Sequence, residues 1–81
     1  RIPEPDRTWF ALAAYNLGFG SLEDGRIVTQ KHGKDPDSWA DVREHLPLLG
    51  QEQWYLQVRR GYARGWEAVK FVDSVRNYLD I

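Results

Sequence analysis

Residues 66–79 read WEAVKFVDSVRNYL. Ala68, Phe71, Val72, Val75 and Leu79 recur at the spacing of a helical face, and Lys70, Asp73, Ser74 and Asn77 fall on the other side. This stripe predicts an amphipathic helix from Trp66 to about Leu79, with one face on a core. Working back from it, Gly61 and Gly65 flank Tyr62-Ala63-Arg64 as a joint between helices. A helix from Gln51 to about Arg60 is expected before that joint, and Pro47 and Gly50 bound a brief connection.

Further back, Ser38 and Asp41 make a capping pattern for a short helix through His45. The stretch His32-Gly33-Lys34-Asp35-Pro36-Asp37 combines Gly, Pro and Asp with no apolar residue and reads as a loop. Ser21, with Asp24 three residues on, is expected to open a helix to Lys31 whose thin apolar face is Leu22, Ile27 and Val28. Residues 7–17 read RTWFALAAYNL, uncharged after Arg7 and apolar all round, which predicts a helix buried on most sides. Gly18 and Gly20 are expected to end it, and Asp6 to cap its start, after Pro3 and Pro5 hold the first residues extended. No segment alternates apolar and polar residues as a half-buried strand does. The fold class is all-α, with about five short helices in a single segment, 1–81.

Apolar residues make up 42% and aromatic residues 14% of the 81 residues, enough for a packed core. The formal net charge of -1 argues against a nucleic-acid surface or a polybasic membrane anchor. Arg59, Arg60 and Arg64 read as a solvated helix end. Without cysteine there is no thiol redox chemistry and no thiolate metal site. No apolar run reaches the roughly 20 residues that span a bilayer. The sequence opens on Arg1-Ile2-Pro3 rather than Met, so it is expected to be a piece of a longer chain, with any targeting segment outside it.

Few groups suggest chemistry. His32 and His45 are far apart in sequence, and neither has a second ligand at helical or turn spacing, so no metal site is expected. Asp35 and Asp37 lack the alternating oxygens and distal Glu of a calcium loop. Ser21, Ser38 and Ser74 sit at caps or on a solvated face. The carboxylates Glu23, Asp24, Glu44, Glu52 and Glu67 lie in charged or capping contexts, whereas a general acid needs an apolar setting that raises its pKa. Glu67, beside Trp66, is the least unsuited. Asn16, near the end of an apolar helix, needs partners. Either it caps the helix while Tyr15 enters the core, or both line a groove, where Asn16 bonds a sugar and Tyr15 offers a ring face and a hydroxyl.

The run from Trp9 to Gly20, WFALAAYNLGFG, resembles the Ala-Tyr-Asn-x-Gly-x-Gly segment of the lytic transglycosylases related to goose-type lysozyme. Asp35-Pro36, Leu46-Pro47-Leu48-Leu49 and Gly61-Tyr62-Ala63-Arg64-Gly65 are similar to one membrane-bound branch of that family, in the same order along essentially the whole chain. The resemblance implies a part of a lysozyme-like domain. It also implies an enzyme that cleaves the β-1,4 bond between N-acetylmuramic acid and N-acetylglucosamine without water. One glutamic acid protonates the leaving oxygen and then acts as base while a 1,6-anhydro ring closes.

In the family that glutamate lies upstream of the Ala-Tyr-Asn segment, so the resemblance places no catalytic residue in this chain. It implies Tyr15 and Asn16 as substrate-binding residues, no cofactor, and peptidoglycan glycan strands as the partner. The family often has Glu-x-x-x-Tyr-Val in its last helix, whose tyrosine orients the glutamate. Here Glu67 to Val72 matches with Phe71 in the tyrosine's place, an active-site wall without the hydroxyl. Glu67 is structural in this alignment. The parent is expected in the periplasm, attached to the outer membrane of a Gram-negative bacterium. The segment alone is expected to be inactive, and to expose apolar surface that invites a dimer.

Overall fold

A computed structural model describes residues 2–80. Five α-helices follow one another: α1 (Asp6–Leu17), α2 (Phe19–Lys31), α3 (Trp39–His45), α4 (Glu52–Tyr55) and α5 (Gly65–Leu79). A 3-10 turn, Leu46–Gly50, joins α3 to α4, and no strand occurs among the described residues. The all-α expectation therefore holds. The core gathers side chains from every part except α4. Trp39, Leu46, Leu49, Val28, Val42 and Val72 are its largest fully buried apolar members. Each such residue contributes roughly 1.5–3 kcal/mol through burial. Phe10 meets Trp39 edge to face at 5.5 Å.

Helices α1 and α5, first and last in the chain, make the most extensive helix-to-helix contact. Arg76 lies 4.8 Å over the Trp9 ring, and the Tyr15 and Phe71 rings are 6.2 Å apart. Low numbers on α1 thus meet high numbers on α5, and the pair is antiparallel. Where α5 starts, Gly65 is buried against the backbone carbonyl of Leu46, and a Cβ there would collide with that oxygen. Glycine is what lets α5 cross the 3-10 turn this closely.

Several local expectations are corrected by tertiary contacts. Asp6 does not cap its own helix: its carboxylate accepts a hydrogen bond from the Trp39 N–H at 2.9 Å, at the start of α3. Glu4 accepts from Thr8 N–H at the start of α1 instead, and residues 4 and 5 turn rather than run extended. Helix α2 begins at Phe19, two residues before Ser21, and Gly20 lies inside it. Gly18 alone, at φ +96°, separates α1 from α2. The Ser21–Asp24 capping box does not form. Asp24 is buried and accepts from the Arg60 N–H at 2.8 Å.

The helix expected over 51–60 stops at Tyr55. Beyond it the amides of Gln57 and Val58 bond three residues back, Arg60 turns its amide to Asp24, and Gly61 adopts φ +78°. α1 is buried on one side only, at Phe10 and Ala13, while Ala11, Tyr15 and Asn16 face solvent. Ile27, assigned to a buried face, is 42% exposed, whereas Val28 next to it is fully buried. Leu79 also lies in solvent, past the end of the core-facing stripe of α5. The Ser38 cap is as expected, its hydroxyl accepting from the Asp41 N–H at 3.3 Å.

Candidate functional site

The Ala14-Tyr15-Asn16 run forms the last full turn of α1. Gly18 closes that turn by donating its N–H to the Ala14 carbonyl at 2.8 Å. Asn16 is therefore not needed as a cap. Its side chain is exposed and makes no hydrogen bond among the described residues. Tyr15 is 84% exposed, so it is not a core aromatic. Its ring leans toward that of Phe71, on α5, with centroids 6.2 Å apart and planes inclined by 32°. The antiparallel α1–α5 pairing thus brings together Tyr15 and Phe71, which are far apart in sequence, with Asn16 beside them on α1. Phe71 is half-buried and has no hydroxyl to offer.

None of the carboxylates is set up as a general acid. Glu67 is exposed, 3.6 Å from the Arg64 guanidinium. Glu23 pairs with Arg26 at 2.8 Å. Asp24 is buried but occupied by the Arg60 amide. Two carboxyls are displaced from their ordinary range, and both move down, opposite to a general acid. Asp73 is lowered first by the hydrogen bonds from Arg43, at 3.0 and 2.5 Å. Glu4 is lowered first by the hydrogen bond from the Thr8 hydroxyl, at 2.7 Å.

Two groupings escaped the sequence reading. The His32 and His45 rings lie 4.7 Å apart, and Trp54 stands 4.6 Å from His32. Each histidine Nδ1 is bonded to the carbonyl four residues earlier, Val28 at 2.9 Å and Asp41 at 2.7 Å. No third ligand-type side chain joins them among the described residues. The second grouping is a row of rings, Tyr55, Tyr62 and Trp66. Nothing in the spacing of these residues signals either one, because the chain's reversals after α2 and α4 create both.

An apolar cleft of about 220 Å³ lies between α1 and α2. Phe10, Ala11, Phe19 and Leu22 line it together with Arg7 and Arg26. A polar depression between Arg43, Asp73, Arg76 and Asp80 lies at the far end of α5. Neither includes Tyr15, Asn16 or Phe71, which sit on an open face. No helix of the described residues is long and apolar enough to cross a membrane.

No protein-family model matches the chain. Over all 81 residues it is 62% identical to the membrane-bound lytic murein transglycosylase F of Marinobacter nauticus, of which it spans 16%. It is 59% identical over its full length to the protein of that name from Saccharophagus degradans, again spanning 16%. It is 58% identical over 80 residues to the one from Idiomarina loihiensis, spanning 18%. End to end, the chain is similar to one segment of the proteins named membrane-bound lytic murein transglycosylase F.

Proposed function

We propose that this chain is the later portion of a lytic transglycosylase catalytic domain of lysozyme-like fold. Its parent cleaves peptidoglycan between N-acetylmuramic acid and N-acetylglucosamine to 1,6-anhydromuramoyl products. The observation that carries this reading is the exposed pair Tyr15 and Asn16 at the end of α1, with the Tyr15 ring leaning toward Phe71 of α5. They stand in the sequence context for which relatives up to 62% identical carry the transglycosylase name. In this reading Tyr15 and Asn16 form part of a sugar groove. Asn16 offers a free amide that can donate and accept, and Tyr15 a ring face and a hydroxyl. Phe71 walls the site without a hydroxyl. A glutamic acid from another part of the parent transfers the proton, since the carboxylates here are exposed, paired or already bonded. The parent works in the periplasm, held at the outer membrane of a Gram-negative cell.

Two measurements test the proposal. Purified sacculi incubated with this chain alone should release no anhydromuropeptides; robust release would sink the claim of inactivity. In a muropeptide titration followed by amide NMR, Tyr15 and Asn16 should shift and Tyr15→Ala should weaken binding. Because Tyr15 is so exposed, that variant keeps its fold. Silence at both residues removes the groove assignment. Binding without any turnover once the rest of the parent is present would favour a non-catalytic glycan-binding module. A second reading, self-association as a helical interaction module, draws on exposed Tyr15, Phe19, Tyr78 and Leu79. It predicts a sedimentation coefficient that rises with concentration, and a constant monomer value defeats it.

A further inference from the structure

Tyr55, Tyr62 and Trp66 form a row of rings edge to face. Tyr55 and Tyr62 are 5.7 Å apart at 89°, and Tyr62 and Trp66 are 6.5 Å apart at 70°. Tyr62 is 53% and Trp66 39% exposed, so the row presents ring surface to solvent. The backbone beneath it is held on both sides. Arg60 donates its N–H to Asp24, and Ala63, itself buried, donates to the Leu49 carbonyl at 3.2 Å. Gly61, at φ +78°, makes the turn between these anchors and leaves Tyr62 on the outside. The Trp66 ring lies over Gly50, where a Cβ would come within 2.7 Å of it. Rings fixed in this way lose little freedom when a ligand settles on them.

Held, exposed rings mark a contact surface rather than a core, because a core ring would be covered. Their flat apolar faces match the C–H faces of a pyranose, and the Tyr62 hydroxyl and Trp66 indole N–H can bond sugar hydroxyls. Arginines flank the row in the chain, and the Arg60 guanidinium lies against Gly20 near the start of α2. Arg59, Arg60 and Arg64 are exposed, and Arg59 and Arg60 have no carboxylate partner among the described residues. Guanidinium groups recognise carboxylates with two hydrogen bonds at once. We infer that Tyr62 and Trp66 form a second saccharide-stacking site, taking an N-acetylated pyranose strand whose carboxylate-bearing substituents meet Arg59 and Arg60. Trp66 and Phe71 are five positions apart on α5, about 140° around the helix, so this site is on a different side from Tyr15. The inference rests on the peptidoglycan reading for the identity of the sugar but uses none of the residues of the Tyr15 face.

The test is a titration of the ¹⁵N-labelled chain with chitotetraose and, separately, with a disaccharide-tetrapeptide muropeptide. Shifts of the Trp66 indole N–H and of the amides from Gly61 to Ala63 are expected with both. The muropeptide should bind several-fold tighter at low salt. Tyr62→Ala should weaken binding about fivefold, the loss of one aromatic contact. Tyr78→Ala removes a more exposed tyrosine, at the far end of α5, and should change nothing. If Tyr15 and Asn16 respond while Trp66 and residues 61–63 stay silent, this inference falls and the proposed function stands. If only the Tyr62–Trp66 strip responds, the strip stands and the Tyr15 assignment falls. A muropeptide that binds no tighter than chitotetraose overturns the carboxylate assignment. A single-stranded oligonucleotide that outcompetes both sugars overturns the choice of ligand.

Discussion

Asp6 and Asp24 show at the residue scale how a local signal can be read correctly in kind and wrongly in partner. Asp6 was expected to cap the start of its own helix, and Asp24 to complete a capping box with Ser21. In the folded chain each caps something distant: Asp6 the Trp39 amide, 33 positions away, and Asp24 the Arg60 amide, 36 positions away. No window short enough to read by eye contains both partners. Asp6→Ala should therefore destabilise the start of α3 rather than α1, by about 1 kcal/mol, the usual worth of a cap. Urea denaturation gives the total. Hydrogen exchange at Trp39 to Val42 should quicken more than at Thr8 to Leu12, and the reverse order would return Asp6 to its own helix. Tyr15 and Asn16 were legible as special residues, since a polar pair ending an apolar helix is uncommon. That Tyr15 faces Phe71 was not, because nothing in either segment encodes the α1–α5 crossing.

Among the elements, α3 and α5 were the most readable, α3 from its Ser38 cap and α5 from its apolar stripe. α4 was the least readable. Residues 51–60 carry helix-compatible side chains, yet the helix stops at Tyr55 once the Arg60 amide is drawn to Asp24 and Gly61 turns the chain. Propensity yields there to a tertiary hydrogen bond. The contact between α3 and α5 includes the Arg43–Asp73 pair, with side chains 42% and 34% exposed. The Arg43 guanidinium holds the Asp73 carboxyl below its usual value, so the folded state binds this proton more weakly than the unfolded state. The stabilisation is present in full above the unfolded carboxyl value of about 4 and is lost as pH falls through the lower folded value. Solvent screening keeps it below about 1 kcal/mol. Asp73→Asn should cost that amount at pH 7 and progressively less below pH 4, as followed by urea midpoints. A difference that stays constant into strong acid would show that the pair does not titrate with folding.

For the whole molecule, the helical class follows from apolar spacing and glycine punctuation alone. The groupings His32–His45–Trp54 and Tyr55–Tyr62–Trp66 do not, since they arise from how the chain doubles back. The binding faces proposed here lie on different sides of α5 and take aromatic residues from α1, α4 and the 56–64 stretch. This helix is thus common to both surfaces as well as to the core. The antiparallel contact of α1 with α5 adds a constraint of timing. As a ribosome delivers the chain, α1 emerges well before α5, the helix with which it makes its most extensive contact. Until α5 is made, Trp9 lacks the Arg76 guanidinium that lies over its ring, whereas Phe10 already has Trp39 of α3. The α1–α5 contact is therefore a late, long-range event in the folding of this segment.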